Sequence, residues 1–245
     1  MKALINLIEE AFFPKTCAAC GEVTDNGEPL CDYCREMLVR FDPIKRCIRC
    51  GNEKSDCECK YRVFHFDGLV APFENKETAR LGVYSFKFRR KMSNAEYFAE
   101  QMALSVKNEY RDIRFDAVTF VPMHKYRFLK RGFNQSRVLA EKIAEILCAP
   151  LADTLVCLKN GKRQHDLFGK ERFKNVKGRY GAKGSASGKT LLLVDDIRTT
   201  GATLDECAGQ LFSAGAEAVY CVTALITEKK KTKENNAGKK RSLML

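Results

Sequence analysis

The chain has 245 residues, room for one ordinary domain and a smaller module, and its 45% apolar and 30% charged residues exclude disorder over most of its length. Lys and Arg number 43 against 31 Asp and Glu, a formal charge of +12, and no stretch approaches the roughly 18 apolar residues that span a bilayer. The positive charge is concentrated: residues 121–189 hold 16 basic and 5 acidic side chains, residues 229–245 hold 7 and 1, and the remainder is slightly acidic.

Met1 to Pro14 reads as a short amphipathic helix. Its apolar run from Ala3 to Ile8 contains Asn6 and is followed by Glu9 and Glu10 with no small-residue cleavage site, so it does not read as a signal peptide. A cytoplasmic location is the expectation. Eight of the 12 cysteines then fall in pairs: Cys17 and Cys20, Cys31 and Cys34, Cys47 and Cys50, Cys57 and Cys59. Turn formers and polar residues separate the pairs (Gly21, Asp25-Asn26-Gly27, Asp42-Pro43, Gly51-Asn52), with too few large apolar side chains for a core. Such a segment needs a staple. Zinc held by four thiolates supplies one, because a tight C-x2-C turn presents two sulfurs to a single ion. Neighbours in sequence group as Cys17/Cys20/Cys31/Cys34 and Cys47/Cys50/Cys57/Cys59, for one or two structural zinc ions; interleaved pairing satisfies the same spacing. Disulfides require an oxidising compartment, and a redox motif requires one pair beside a βαβ unit. Cys148, Cys157, Cys207 and Cys221 lie among apolar neighbours and are expected to be core thiols.

From about residue 61 strands and helices alternate. His65 reads as structural. The stretch SFKFRRK, with Phe86, Lys87, Phe88, Arg89 and Arg90, reads either as a strand or turn with solvated charges or as a nucleic-acid contact. Residues 93–110 predict a helix, with Ser93 as its cap and Glu96 completing a capping box. Residues 115–123 predict a strand, and 134–147 a helix with Val138, Leu139, Ile143, Ile146 and Leu147 at helical spacing. Residues 190–197 form a continuous apolar run ending in two carboxylates, the pattern of a strand buried on both faces. A helix over 203–214 stopped by Gly215 and a strand over 218–226 follow. This alternation predicts an open parallel α/β sheet with ligands at the carboxyl ends of its strands. Residues 184–190 (GSASGKT) imitate a nucleotide phosphate loop but precede a strand, so they read as a plain loop. The Lys-rich tail is too polar to fold.

One string has the order that phosphate binding requires: residues 191–204, LLLVDDIRTTGATL. A buried strand delivers Asp195 and Asp196 to its end, a turn of small hydroxyl residues and Gly201 follows, and a helix starts there. Backbone amides and hydroxyls at that helix N-terminus suit a phosphate, and paired carboxylates nearby suit a vicinal diol. Together they describe a ribose 5-phosphate.

The string resembles the 5-phosphoribosyl 1-pyrophosphate (PRPP) signature of type I phosphoribosyltransferases. With Arg131-Gly132-Phe133-Asn134-Gln135, the 164–175 stretch and the cysteine pairs, the chain resembles the ComF competence-protein family up to about residue 227. Members join an N-terminal zinc-finger region to a phosphoribosyltransferase domain. The resemblance implies an N-terminal helix and zinc-ribbon module over 1–60, a phosphoribosyltransferase-like open parallel sheet over 61–227 and a basic tail over 228–245. It implies Asp195 and Asp196 on the ribose hydroxyls, with a catalytic part if the domain turns over, and Thr199, Thr200, Gly201, Ala202 and Thr203 on the 5-phosphate. Pro122, Met123, His124 and Lys125, with Arg131, fall at the pyrophosphate loop, and Gln164 and Arg172 fall in a mobile loop. No pocket for one base is marked, and the segments before residue 115 that could close over the site are unremarkable. Mg²⁺ would accompany PRPP, and the reaction would transfer phosphoribosyl to an unidentified nitrogen acceptor with release of pyrophosphate. The implied setting is DNA uptake during natural transformation, with single-stranded DNA and competence-machinery proteins as partners and oligomeric state open. A non-catalytic sensor of PRPP or nucleotides, or a single-stranded-DNA-binding accessory, is the alternative.

Overall fold

A computed structural model of the chain describes residues 15–24, 27–89, 92–160, 173 and 175–228. The segment 1–14, Gln164, Arg172 and the tail from Lys229 lie outside the described residues. The strands are β1 (Gly68–Val70), β2 (Phe73–Glu74), β3 (Ala117–Phe120), β4 (Leu155–Cys157), β5 (Tyr180–Ala182), β6 (Thr190–Arg198) and β7 (Ala218–Ile226). The helices are α1 (Asp32–Met37), α2 (Glu77–Arg89), α3 (Met92–Glu109), α4 (Lys125–Arg131), α5 (Gln135–Leu147) and α6 (Ala202–Ser213).

The main sheet is parallel throughout, in the order β1-β7-β6-β3, with β2 also paired to β7. β4 and β5 form a separate antiparallel pair. Strand β6 explains the layering. Leu191, Leu192, Leu193 and Val194 are wholly buried, and because side chains alternate along a strand they feed two cores. Leu192 and Val194 pack with Phe98 and Met102 of α3 and Leu139 and Ile143 of α5. Leu191 and Leu193 pack with Leu204, Cys207 and Leu211 of α6 on the opposite face. Helices on both faces leave the carboxyl ends of β3 and β6 open side by side, which is where an α/β sheet binds ligands. Among the described residues no helix is long and apolar enough to cross a membrane.

Three sequence expectations change. Ser85 to Arg89 of SFKFRRK form the end of helix α2 and not a strand or turn, and Arg90 and Lys91 lie outside the described residues. Ala79, Val83 and Phe86 are buried at spacings of four and three, so a helical period over thirteen residues overrides the short alternation of Phe86 and Phe88 with polar neighbours. Helix α3 starts at Met92, which puts Ser93 inside it and not at its cap. Of the four isolated cysteines only Cys207 and Cys221 are core thiols; Cys148 is exposed at the end of α5 in a left-handed conformation, and Cys157 is half-buried.

Candidate ligand-binding cleft and metal centres

The cysteines assemble into two clusters, Cys17/Cys20/Cys31/Cys34 and Cys47/Cys50/Cys57/Cys59, with the sulfurs of each within 4.8 Å of one another. The grouping is therefore sequential and not interleaved. The sulfurs lie 3.8 Å apart for Cys20–Cys31, 3.9 Å for Cys47–Cys59 and 3.8 Å for Cys50–Cys57. A tetrahedral zinc with bonds of about 2.3 Å places its sulfurs about 3.8 Å apart, whereas a disulfide requires about 2.05 Å. Both clusters fit structural zinc. Burial raises the thiols of Cys17 and Cys47, but the knuckle backbone amides outweigh it and bring each down to about 7. A sulfur surrounded by amides is a ready thiolate.

Between the ends of β3 and β6 lies a cleft of about 830 Å³, within the size range of ligand sites. Its floor is Asp195 and Asp196, which are the only carboxylates lining it among the described residues. The Ser136 hydroxyl donates to Asp195 Oδ1 at 2.8 Å, and the Asp196 amide donates to the same oxygen at 2.9 Å. Burial and then the charge of Asp196 push the Asp195 carboxyl up to about 7, while the hydrogen bonds and Lys87 oppose them. Asp196 is itself 8% exposed and accepts from Lys87 Nζ at 2.5 Å. Next comes the turn Thr199–Gly201. Gly201 takes φ +80°, a left-handed conformation that disfavours any other residue, and it caps α6 at its N-terminus. The Thr200 hydroxyl accepts from the Ala202 amide at 3.4 Å. Amides and hydroxyls at the start of a helix make an anion cradle.

Facing this acidic and hydroxyl floor is a cationic wall. Lys87 of α2, Arg127, Lys130 and Arg131 of α4, and Arg179 form it, while Arg198 lines the cleft from the floor strand β6. The sequence RGFNQ sets the wall's geometry. Gly132 ends α4 at φ 86°, the Asn134 side chain accepts from the Ser136 amide at 3.1 Å to start α5, and its amide donates to the Val121 carbonyl at 3.0 Å. That clasp fixes Ser136 against Asp195 and lets Arg131 donate to Gln135 at 2.6 Å. Phe133 packs on Phe86, ring centres 5.5 Å apart, so the clasp also holds α2 in place. Burial lowers the Arg131 guanidinium and the charge of Asp196 offsets it.

The structure gathers Asp195, Asp196, Thr199, Thr200, Gly201, Ala202, Thr203, Pro122, Met123, His124 and Arg131 into the one cleft. Lys125 is not among its lining residues; it is exposed on the first turn of α4, whose outer face it shares with Leu129. His124 caps α4, accepting from the Tyr126 amide at 3.3 Å. His65 sits 3.0 Å from Asp205, a structural contact. Sequence reasoning missed Ser136, Arg127, Lys130, Arg179 and Arg198, and it read Lys87 as a solvated charge or a nucleic-acid contact and not as part of this cleft. Lys87 comes from one of the segments before residue 115 that carry no site motif. The one signal available for it was its place in a helix whose buried face includes Phe86.

The chain matches a family model described as a phosphoribosyl transferase domain over residues 134–244 and one described as a double zinc ribbon domain over residues 8–63. Competence protein ComFC of Bacillus subtilis is 30% identical over 210 residues, covering 81% of this chain and 84% of that protein. Competence protein F of Haemophilus influenzae is 26% identical over 223 residues, 85% of this chain and 95% of its own length. DNA utilization protein YhgH of Salmonella typhimurium is 28% identical over 207 residues, 83% and 86% respectively.

Proposed function

This chain belongs to the ComF competence-protein family, and on that premise we propose that its cleft binds PRPP with Mg²⁺ in the service of DNA uptake. The observation that carries the reading is the juxtaposition of a carboxylate pair, an anion cradle and a cationic wall in one cleft. Asp195 and Asp196 receive the ribose hydroxyls, Thr199 to Thr203 receive the 5-phosphate, and Lys87, Arg131 and their neighbours receive the pyrophosphate. Mg²⁺ supplies charge neutralisation for the pyrophosphate, and Asp195 and Asp196 are the carboxylates able to face it.

If the bound PRPP turns over, the bond from the anomeric carbon to the pyrophosphate oxygen breaks and a bond to an acceptor nitrogen forms. Pyrophosphate leaves with the electron pair toward the cationic wall. Asp195, held near 7, is the group placed to take the proton that the nitrogen loses. The acidic floor also favours the positive charge that develops on the sugar.

A second reading has its own observation. Helix α4 exposes Tyr126, Phe128 and Leu129, at 64%, 45% and 81%, interleaved with Lys125, Arg127, Lys130 and Arg131. Exposed rings among cations at the mouth of the cleft suit the bases and phosphates of a single strand of nucleic acid.

Thermal unfolding separates the readings. PRPP with Mg²⁺ at about 100 times its dissociation constant stabilises by about 2.7 kcal/mol, a rise of about 5–10 °C for a chain of this size. Asp195→Asn with Asp196→Asn abolishes the rise, while stabilisation by a single-stranded oligonucleotide persists. A rise with the oligonucleotide alone would leave only the second reading. Pyrophosphate release on adding nitrogen acceptors then reports turnover.

A further inference from the structure

The two cysteine clusters back opposite sides of the cleft. Cys17, Ala18 and Cys34 of the first share a core with Val83 and Phe86 of α2 and Phe98 of α3, behind the wall that carries Lys87. The second is built into the other end. The Leu69 amide of β1 donates to the Ile48 carbonyl at 2.7 Å, and a side chain at Gly51 would collide with Ile226 and Leu69.

From Cys59 the chain runs directly to the phosphate turn. Arg62 Nη2 lies 3.2 Å from Asp205 Oδ2, and the His65 amide donates to Asp205 Oδ1 at 2.8 Å. Asp205 is 7% exposed in the first turn of α6, where its amide closes the first helical bond onto the Gly201 carbonyl at 2.8 Å. The stacked rings of Phe64 and Phe66 lie 3.8 and 3.9 Å from the position a Cβ on Gly201 would take.

Arg198 makes a second link. It is 2% exposed, its Nη1 reaches the Thr227 carbonyl at 3.5 Å, and its Nε has no hydrogen-bond partner among the described residues. That Nε lies 3.7 Å from the same point on Gly201. Burial lowers the guanidinium to about 10, Cys50 and Glu58 offset this, and Arg46 adds to it. A buried cation requires opposite charge nearby. Arg198 pairs in register with Ile226 of β7, which packs against Gly51 beside Cys50, so a zinc held by four thiolates, with its net negative charge, adjoins this end of β6.

We propose that the second cysteine cluster positions the phosphate-binding turn, through Arg62 and Asp205 on one path and Arg198 on the other, whereas the first cluster does not touch it. The proposal takes Thr199–Thr203 as the phosphate site and so rests on the reading above, but the coupling is testable with no ligand present.

Hydrogen exchange on the full, zinc-loaded chain is the experiment, with zinc content measured alongside. In Cys57→Ser with Cys59→Ser, the amides of residues 200–206 exchange at least about tenfold faster than in the wild type. In Cys20→Ser with Cys31→Ser they stay within about twofold, and the faster amides are those of α2 and α3. Arg62→Met touches no metal ligand; it keeps its zinc and still speeds the same turn amides. Loss of the second zinc with the turn unchanged overturns the proposal, as does equal acceleration of the turn in both cysteine variants. PRPP with Mg²⁺ is titrated in parallel, and Arg62→Met weakens it by about tenfold. Failure of the wild type to bind PRPP rejects the ligand, while the exchange comparison still decides the coupling.

Discussion

The floor of the cleft and its cationic wall are built in opposite ways. The floor is a single run of chain, Asp195 to Thr203, whose parts are neighbours in sequence because a strand hands over to a helix there. The wall is assembled from α2, α4 and Arg179 beside β5, and its central contact, Lys87 to Asp196, joins positions 109 residues apart. Such a wall exists only once the fold does. The ligand chemistry divides the same way in the proposed reading, with sugar and 5-phosphate on the floor and pyrophosphate on the wall.

The comparison breaks most visibly at the Lys87–Asp196 pair. Lys87→Met removes a wall cation and leaves a nearly buried carboxylate unpaired, so PRPP affinity measured by calorimetry falls by about 10–100-fold. An unchanged affinity would confine binding to the floor. Because Lys87 lowers the Asp195 carboxyl, the variant also shifts that group's titration upward from about 7.

The floor has its own signature in pH. Asp195 titrates near 7, so below that value the ligand-free protein holds a proton that an ionised pair facing Mg²⁺ and ribose must release. Affinity therefore rises as pH increases from 6 to 8, by up to about tenfold, and flattens above. Asp195→Asn removes the slope, while wall variants shift its midpoint without removing it. For stability alone the sign is reversed. The folded state binds this proton more tightly than the unfolded chain, so Asp195 favours the ligand-free fold most below about pH 4 and loses that contribution as pH rises from there through 7. The smallest effect belongs to Lys125. It is exposed outside the cleft, and Lys125→Ala changes PRPP affinity by less than about twofold, the screened contribution of a surface charge. A large loss there would move the wall's boundary to the outer face of α4.

What was legible in the sequence follows the same division. Strand β7 has the predicted bounds, 218–226, because a buried parallel strand is apolar on both faces and Gly215 punctuates its start. The cysteine pairs and the LLLVDDIRTTGATL string announce their chemistry because their spacing is local. Lys87 was legible as a cation but not as a member of the cleft. Phe86 and Phe88 alternate with Ser85, Lys87 and Arg89 in a short strand-like pattern, and only burial of Ala79, Val83 and Phe86 along one helix face identifies α2. Ser136 was hidden for a related reason: its link to Asp195 spans 59 positions and depends on the clasp of Asn134 on Val121. RGFNQ was visible as a motif, yet its role in joining α4 to α5 appears only in the hydrogen bonds.

Calorimetric titration of PRPP with Mg²⁺ into the wild type and into Asp195→Asn with Asp196→Asn tests the central claim most directly. Two charge-assisted contacts at about 1.5–3 kcal/mol each predict that the double variant binds at least about 100-fold more weakly than the wild type. Equal affinity in the two proteins, or no binding to the wild type at millimolar PRPP, would contradict it.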